Sequence, residues 1–330
     1  MEIGKVPETV LNRSVFKQLS VSREEVLVGP AIGEDCSVVA IGADEVFVLS
    51  TDPITGTAKG IGSLAVHITV NDLAASGAEP IGLLVTALLP PGYEEEALKR
   101  MMRDLNEACA PLDVQVIGGH TEVTSAVNQP VLSVTGVGKA RRDKVVAGSR
   151  MRPGDQIVMS KWGGIEGTAI LANEREEELK AYLNPLFVDQ AKELGRHLSV
   201  LAESRIALEH GVTAMHDATE GGIFGALWEM AEAAQVGLDI HLEKIPLKQE
   251  TIEIANYFDI NPYQLISSGS MLMATRDGEG LVEKLEAAGI PASVVGKAVE
   301  GQGRIVHQED SIRSLEPAKA DALYKALGKK

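Results

Sequence analysis

Between residues 26 and 112 the chain repeatedly changes the period of its apolar residues, and this alternation restricts the fold more than any other feature. β-Branched runs broken by glycine, proline and acidic turns give strands at 26–28, 36–41 and 46–51. Residues 60–77 then repeat at helical spacing, with Leu64, Ile68, Ala65 and Ala75 suited to close packing. Residues 80–89 return to an apolar strand, stopped by Pro90-Pro91-Gly92. An amphipathic helix follows over 93–112, and its acidic start, Glu94-Glu95-Glu96, complements the positive end of a helix. Strands at 114–117 and 131–137 complete a stretch that reads as α/β.

The pattern breaks over residues 140–155, which are charged, punctuated by glycine and proline, and without sustained periodicity. A domain boundary is expected there, giving domains 1–145 and 146–330. The second half reads as a strand at 156–160, helices at 167–172 and 186–210, a strand at 212–215, a helix at 222–234 and a strand at 238–242. Further strands are expected near 270–274, 292–296 and 304–307, and a short helix within 314–330. Strands and helices mixed without a βαβ repeat imply an α+β, mixed-sheet domain. A chain of 330 residues can bury two such cores.

Charge removes several function classes. With 31 basic and 47 acidic residues the chain carries −16, which repels nucleic-acid backbones and anionic lipid, so a nucleotide has to be held by local features. Cys36 and Cys109 stand far apart in no metal-binding or redox spacing, which suits a reducing compartment. No stretch has the length and apolarity of a membrane span or the layout of a signal peptide, so the expected location is the cytoplasm.

Acidic residues occur where a fold disfavours them. Asp72 interrupts the apolar helix around Val70-Asn71-Asp72-Leu73, with Thr69 and Ser76 at helical spacing beside it. A buried carboxylate without a partner costs several kcal/mol, so such a group is normally paired or bound to a cation. Asp35 and Asp52 are expected at strand ends, where clefts open. Each taken singly also reads as an Asx-turn residue. Together, three carboxylates from three elements make an oxygen site for Mg²⁺. Gly118-Gly119-His120-Thr121 follows one strand, and Gly163-Gly164 follows another and opens a helix. Glycine lets backbone N–H groups approach phosphate, and a helix start favours anions, although turns also explain such clusters. His216-Asp217-Ala218-Thr219-Glu220-Gly221-Gly222 precedes a helix and reads either as a capping sequence or as a second carboxylate arm. No Walker-type phosphate loop is present.

The ordered set Gly33-Glu34-Asp35-Cys36, Ser50-Thr51-Asp52-Pro53, Val70-Asn71-Asp72-Leu73-Ala74-Ala75-Ser76-Gly77-Ala78, Gly118-Gly119-His120-Thr121, Asp217-Ala218-Thr219-Glu220-Gly221-Gly222 and Ser268-Gly269-Ser270 resembles the successive motifs of the PurM-like, AIR synthase-related superfamily. Within that superfamily the chain looks most like the HypE-like proteins. The resemblance implies two α/β domains, the first (1–145) binding ATP and Mg²⁺ and pairing its sheet in a homodimer, the second (146–330) AIRS-like. It implies that Asp35, Asp52 and Asp72 hold Mg²⁺ with Asp217 contributing, and that Gly33, Glu34, Thr51, Asn71, Gly118, Gly119, His120, Thr121, Gly163, Gly164 and Glu220 line the nucleotide. Asp72, Asp217 and Lys59 would be catalytic; Lys59 and Lys161 are the local cations that would face phosphate, and each also reads as a solvated surface lysine. Members phosphorylate an oxygen of an amide, carbonyl or phosphate group, or a selenium nucleophile, which is catalysis by positioning and charge neutralisation.

The sequence departs from the pattern in three places. HypE proteins end in Pro-Arg-Ile-Cys, whereas Leu327-Gly328-Lys329-Lys330 stands here. His120 occupies the position of an acid in thiamine-monophosphate kinases, and Glu122, two residues on, would share its face in an extended chain. Glu220 is nearer to the kinases' second acid than to the Arg of HypE. Three functions stay open: an ATP-dependent phosphotransferase or ligase-like enzyme of unassigned substrate, a nucleotide-binding maturation or scaffold protein with a protein partner, and thiamine-monophosphate kinase.

Overall fold

The computed structural model of the chain describes residues 4–5, 10, 13–28, 38–39, 41, 44–54, 60–316 and 321–328. Gly33, Glu34, Asp35, Cys36 and Lys59, named above, lie outside the described residues. Two compact units form, residues 1–74 with 78–145, and residues 146–330 with 75–77.

The N-terminal unit contains β1 (Gly4–Lys5), β2 (Val26–Val28), β3 (Val38–Val39), β4 (Glu45–Ile54), α1 (Ile61–Ala75), β5 (Glu79–Leu89), α2 (Glu95–Cys109), β6 (Gln115–Val123) and β7 (Val131–Arg141). A five-stranded sheet runs β1-β6-β5-β7-β4. Only β5 and β6 pair in parallel, and α2 is the crossover that a parallel pair requires. Leu98, Met101, Met102, Leu105, Ala108 and Cys109 recur at helical spacing and are the buried face of α2. Burial pushes the Cys109 thiol up to about 12, so it packs and does not attack. At Gly62 a Cβ would collide with the Met101 carbonyl oxygen, which is how closely α2 approaches α1. α1 lies on the sheet over Gly136, where a Cβ would stand 2.6 Å from Thr69 Cγ2.

Two strands outrun their sequence signals. β4 continues to Ile54, so Asp52 lies inside the strand instead of following it. Pro53 is tolerated because β4 is at the sheet edge, where one side of the ladder needs no N–H. β6 continues through Gly118-Gly119 to Val123, with the register slipping between Leu83 and Leu84 of β5. The glycines thus make a bulge within the strand, not a loop after it. Gly119 has φ +149°, and a Cβ there would collide with the Val85 carbonyl oxygen.

The C-terminal unit contains β8 (Gln156–Ser160), α3 (Ile165–Glu174), α4 (Glu176–Tyr182), α5 (Pro185–Glu193), α6 (Leu201–His210), β9 (Ala214–Asp217), α7 (Gly222–Ala234), β10 (Gly237–His241), α8 (Gln249–Tyr257), β11 (Met271–Thr275), α9 (Gly278–Ala287), β12 (Ala292–Val299), β13 (Arg304–Gln308), β14 (Ser311–Ser314) and α10 (Ala322–Ala326). Its seven-stranded sheet runs β14-β13-β10-β12-β8-β11-β9 and is mixed, with β10 and β13 parallel. Ile223, Phe224, Leu227, Met230 and Ala231 of α7 enter one core with Ile157, Met159, Leu238, Ile240, Leu272 and Val306 of the strands. The single helix expected over 186–210 is divided into α5, a 3-10 turn at Leu194–His197, and α6. The carbonyls of His197 and Ser199 accept hydrogen bonds from the Lys161 ammonium, at 3.1 and 2.6 Å, in place of helical N–H groups. Among the described residues no helix is long and apolar enough to cross a membrane.

Candidate functional site

Ser50 is the point on which two predicted carboxylates converge. It points to the helix-covered face of β4, as does Asp52 two residues on, since side chains of a strand alternate between faces. The Ser50 hydroxyl lies 3.2 Å from Asp52 Oδ2 and hydrogen-bonds Asp72 Oδ2. Asp72 comes from α1, on its less buried stripe with His67, Ile68 and Ser76, whereas Thr69 is fully buried against the sheet. A hydroxyl has one proton, so it donates to one carboxylate at a time. Oxygen donors of this kind suit Mg²⁺. Among the described residues no group of three or more His, Cys, Asp or Glu side chains is arranged to hold a metal, and Asp35 lies outside them.

Sheet register places the other candidates of this unit. Asp52 shares a row with Val134, Val85 and Gly119, which puts Gly119 three strand spacings, about 14 Å, away. Thr121 is buried on that same face, in the row of Ile54, Leu132 and Ala87. Thr51, Gly118 and His120 belong to the opposite face. There Thr135 donates to the Thr51 hydroxyl at 2.8 Å, and His120 Nε2 stands 3.5 Å from Glu122 Oε2. Asn71, beside Asp72, is fully buried.

In the C-terminal unit Asp217 ends β9 and is buried, while Glu220 is exposed on the loop entering α7 and accepts the Tyr324 hydroxyl at 2.6 Å. Two expectations fail here. The Gly163 N–H donates to the Pro246 carbonyl at 2.9 Å and the Gly164 N–H to the Ser267 hydroxyl at 2.7 Å, so neither is left for phosphate. These glycines serve packing instead: a Cβ would meet Leu247 at 2.9 Å from position 163 and Thr251 at 2.9 Å from position 164. Lys161 does not face phosphate either. Its ammonium is buried and directs its three donors to Glu203 Oε1 at 2.6 Å and to the two carbonyls of the α5–α6 connection.

Ser50, Glu166 and Asp321 stand beside the candidate residues without having been singled out by the sequence. Glu166 lies ahead of the helix expected over 167–172 and in the first turn of α3, where an acid is ordinary, so its sequence position gave no signal. Burial pushes its carboxyl up to about 7, and the neighbouring charges of Asp321 and Glu220 add to the rise. Folded protein holds this proton at pH values where unfolded chain has lost it, so the cost of burial is absent below about pH 4.5, grows as pH rises, and is complete above about 7. Glu166→Gln is therefore expected to stabilise by on the order of 3 kcal/mol at pH 8 and by almost nothing at pH 4.5. Denaturant titrations at the two pH values check this, and a pH-independent difference would contradict it.

Similarity to known proteins follows the division into units. Residues 33–140 match the family described as AIR synthase related protein, N-terminal domain, and residues 152–308 match AIR synthase related protein, C-terminal domain. A putative hydrogenase expression/formation protein of Methanocaldococcus jannaschii is 30% identical over 92% of this chain and 91% of its own length. Carbamoyl dehydratase HypE of Rhodobacter capsulatus is 28% identical over 87% of this chain and 83% of its own. The crystal structure of hydrogenase maturation protein HypE in complex with ATP superposes with a TM-score of 0.79 at 20% identity, over 96% of both chains. With both domain families matched in order and a full-length relative at that identity, the chain belongs to the AIR synthase related protein family and is HypE-like.

Proposed function

We propose that this protein is an ATP-dependent, Mg²⁺-requiring enzyme that transfers the γ-phosphoryl group to an amide, carbonyl or phosphate oxygen of a small molecule. The observation that carries the reading is the Ser50 hydroxyl shared by Asp52 and Asp72. Similarity to carbamoyl dehydratase HypE and to a HypE bound to ATP supports it. Asp52 and Asp72, with Asp35, would hold the ion, which when bound would neutralise the triphosphate. Ser50 orients the two carboxylates, and α1 fixes Asp72 over the sheet. Residues 1–145 form the nucleotide-binding domain in this reading, with Gly33, Glu34, Thr51, Lys59, Asn71, Gly118, Gly119, His120 and Thr121 as further candidates for nucleotide contact. In residues 146–330 the candidates are Asp217 and Glu220. A reaction of this kind belongs in the cytoplasm. Calorimetric titration with ATP in the presence and absence of Mg²⁺, followed by a screen for metabolites that accelerate ATP consumption, tests the proposal. Absence of Mg²⁺-dependent ATP binding would remove it. Binding without any stimulated turnover would favour a nucleotide-binding maturation protein that acts on a protein partner, and ADP release that depends on thiamine phosphate would single out the kinase.

The second proposed property is a homodimer built on the open face of the N-terminal sheet. β4 is an edge strand, and on its outer side Phe47 is 42% and Leu49 64% exposed. Lys139, Val137, Thr135 and Ser133 of β7 lie opposite Phe47, Leu49, Thr51 and Pro53 on the same face. Large apolar side chains in a row on a sheet face mark an interaction surface. Leu49→Lys is expected to shift the equilibrium towards monomer by roughly 2 kcal/mol or more, read by light scattering during size-exclusion chromatography. An unaltered mass would place the contact elsewhere.

A further inference from the structure

The loop that carries Asp217 and Glu220 is fastened by residues about a hundred positions away. Gly221 and Gly222 both take left-handed backbone angles, φ +82° and +64°, and a Cβ at Gly222 would lie 2.6 Å from the Tyr263 carbonyl oxygen and 2.7 Å from that of Leu265. Two adjacent glycines lose much conformational freedom on folding, so their arrangement needs to be held. Asp321, which is 4% exposed, holds it. Its Oδ2 accepts the Gly221 N–H at 2.7 Å, while its Oδ1 accepts the N–H of Leu323 at 2.8 Å and of Ile266 at 3.2 Å. Three residues on, the Tyr324 hydroxyl donates to Glu220 Oε1 at 2.6 Å. Lys325 reaches the carbonyl of Asp259 and, at 3.3 Å, its carboxylate. α10 has five residues, too few for a helix to persist by itself, so it owes its shape to these attachments.

We propose that residues 321–327 are a clamp whose docking sets the 217–222 loop, with Asp321 as the positioning residue for the backbone at Gly221 and Tyr324 as the positioning residue for the Glu220 side chain. Whatever lifts α10 releases both at once, so the C-terminal segment controls whether the loop is armed. The proposal rests on the reading that this loop serves the nucleotide-dependent reaction.

Asp321→Asn separates the clamp from simple packing, because the side chains have the same shape. An amide has one acceptor oxygen, so it keeps the Ile266 and Leu323 bonds only by turning its NH₂ group against the Gly221 N–H. In this variant hydrogen exchange by mass spectrometry is expected to quicken at least about tenfold in peptides over residues 219–223 and stay unchanged over 271–275, and kcat/KM for ATP is expected to fall about tenfold, the worth of one hydrogen bond to a charged group. Tyr324→Phe is expected to raise KM for ATP several-fold at constant kcat and constant exchange. Unchanged exchange over 219–223 in Asp321→Asn overturns the clamp. Faster exchange over 219–223 in Asp321→Asn, with wild-type kinetics in both variants, overturns the positioning role. If the wild-type protein consumes no ATP, the nucleotide reading falls, and the exchange measurement still decides whether the clamp exists.

Discussion

Asp72→Asn is expected to lower ATP-dependent turnover by roughly 100-fold or more while the protein stays folded. The change removes one negative charge and keeps the shape. Asp72 is half-buried on α1, so the helix packs as before, and an amide can still face the Ser50 hydroxyl. What is lost is one of two anionic oxygens presented to the same point, and a hard divalent ion prefers carboxylate to amide. Ser50→Ala is the graded companion. It leaves both charges and removes the proton that one of them accepts, so a loss of about tenfold is expected, the equivalent of one hydrogen bond to a charged group. The order of the two effects is the test: Mg²⁺-dependent ATP affinity and turnover are compared in wild type, Ser50→Ala and Asp72→Asn, with the melting temperature as a check on folding. Equal losses would mean that Ser50 matters as much as the Asp72 carboxylate, and an active Asp72→Asn would move the ion site off α1.

The parts of the fold that sequence exposes are those set by local period. α1, α2 and α7 follow apolar spacing, and β5 and β8 follow short, largely apolar runs. The parts that sequence hides depend on where a segment sits in the sheet. Pro53 looks like a strand stop, and only the edge position of β4 lets the strand pass through it and carry Asp52 inside. Gly118-Gly119 looks like a turn, and only the slipped register against β5 makes it a bulge. The same distinction governs side chains. Asp72 stood out because an acid in the interior of an apolar helix demands an explanation, whereas Glu166 stands in the first turn of α3, where an acid is ordinary and only the fold buries it. Ser50 gave no such signal, because serine in a half-exposed strand is unremarkable until a carboxylate from another element arrives beside it. Asp321 was illegible for a stronger reason: two of its three donors lie 55 and 100 residues away, and nothing local marks a residue whose partners are assembled by the fold.

The misreading of Lys161 leads to the largest expected effect on stability. Lysine is seldom buried, so a solvated or phosphate-facing side chain was the natural expectation. Instead it sits at φ +54°, a backbone region unfavourable to a side chain with a Cβ, and stretches into the protein to meet Glu203, itself 2% exposed. Burial holds the ammonium below its usual value, and Glu203 pulls it back up. A pair of this kind earns little net stability, because desolvation consumes most of the attraction, but its members cannot be removed singly. Lys161→Met strands a buried carboxylate and frees the carbonyls of His197 and Ser199, so a loss of about 3–5 kcal/mol is expected. Glu203→Leu strands the ammonium, with its two carbonyl partners retained, and is expected to cost somewhat less. The double variant Lys161→Met with Glu203→Leu replaces both charges by apolar volume and is expected to recover at least half of the larger single loss. Denaturant midpoints of the three variants close the cycle. If the two single losses simply add in the double variant, Lys161 and Glu203 are energetically independent, and the connection between α5 and α6 is held by something other than this pair.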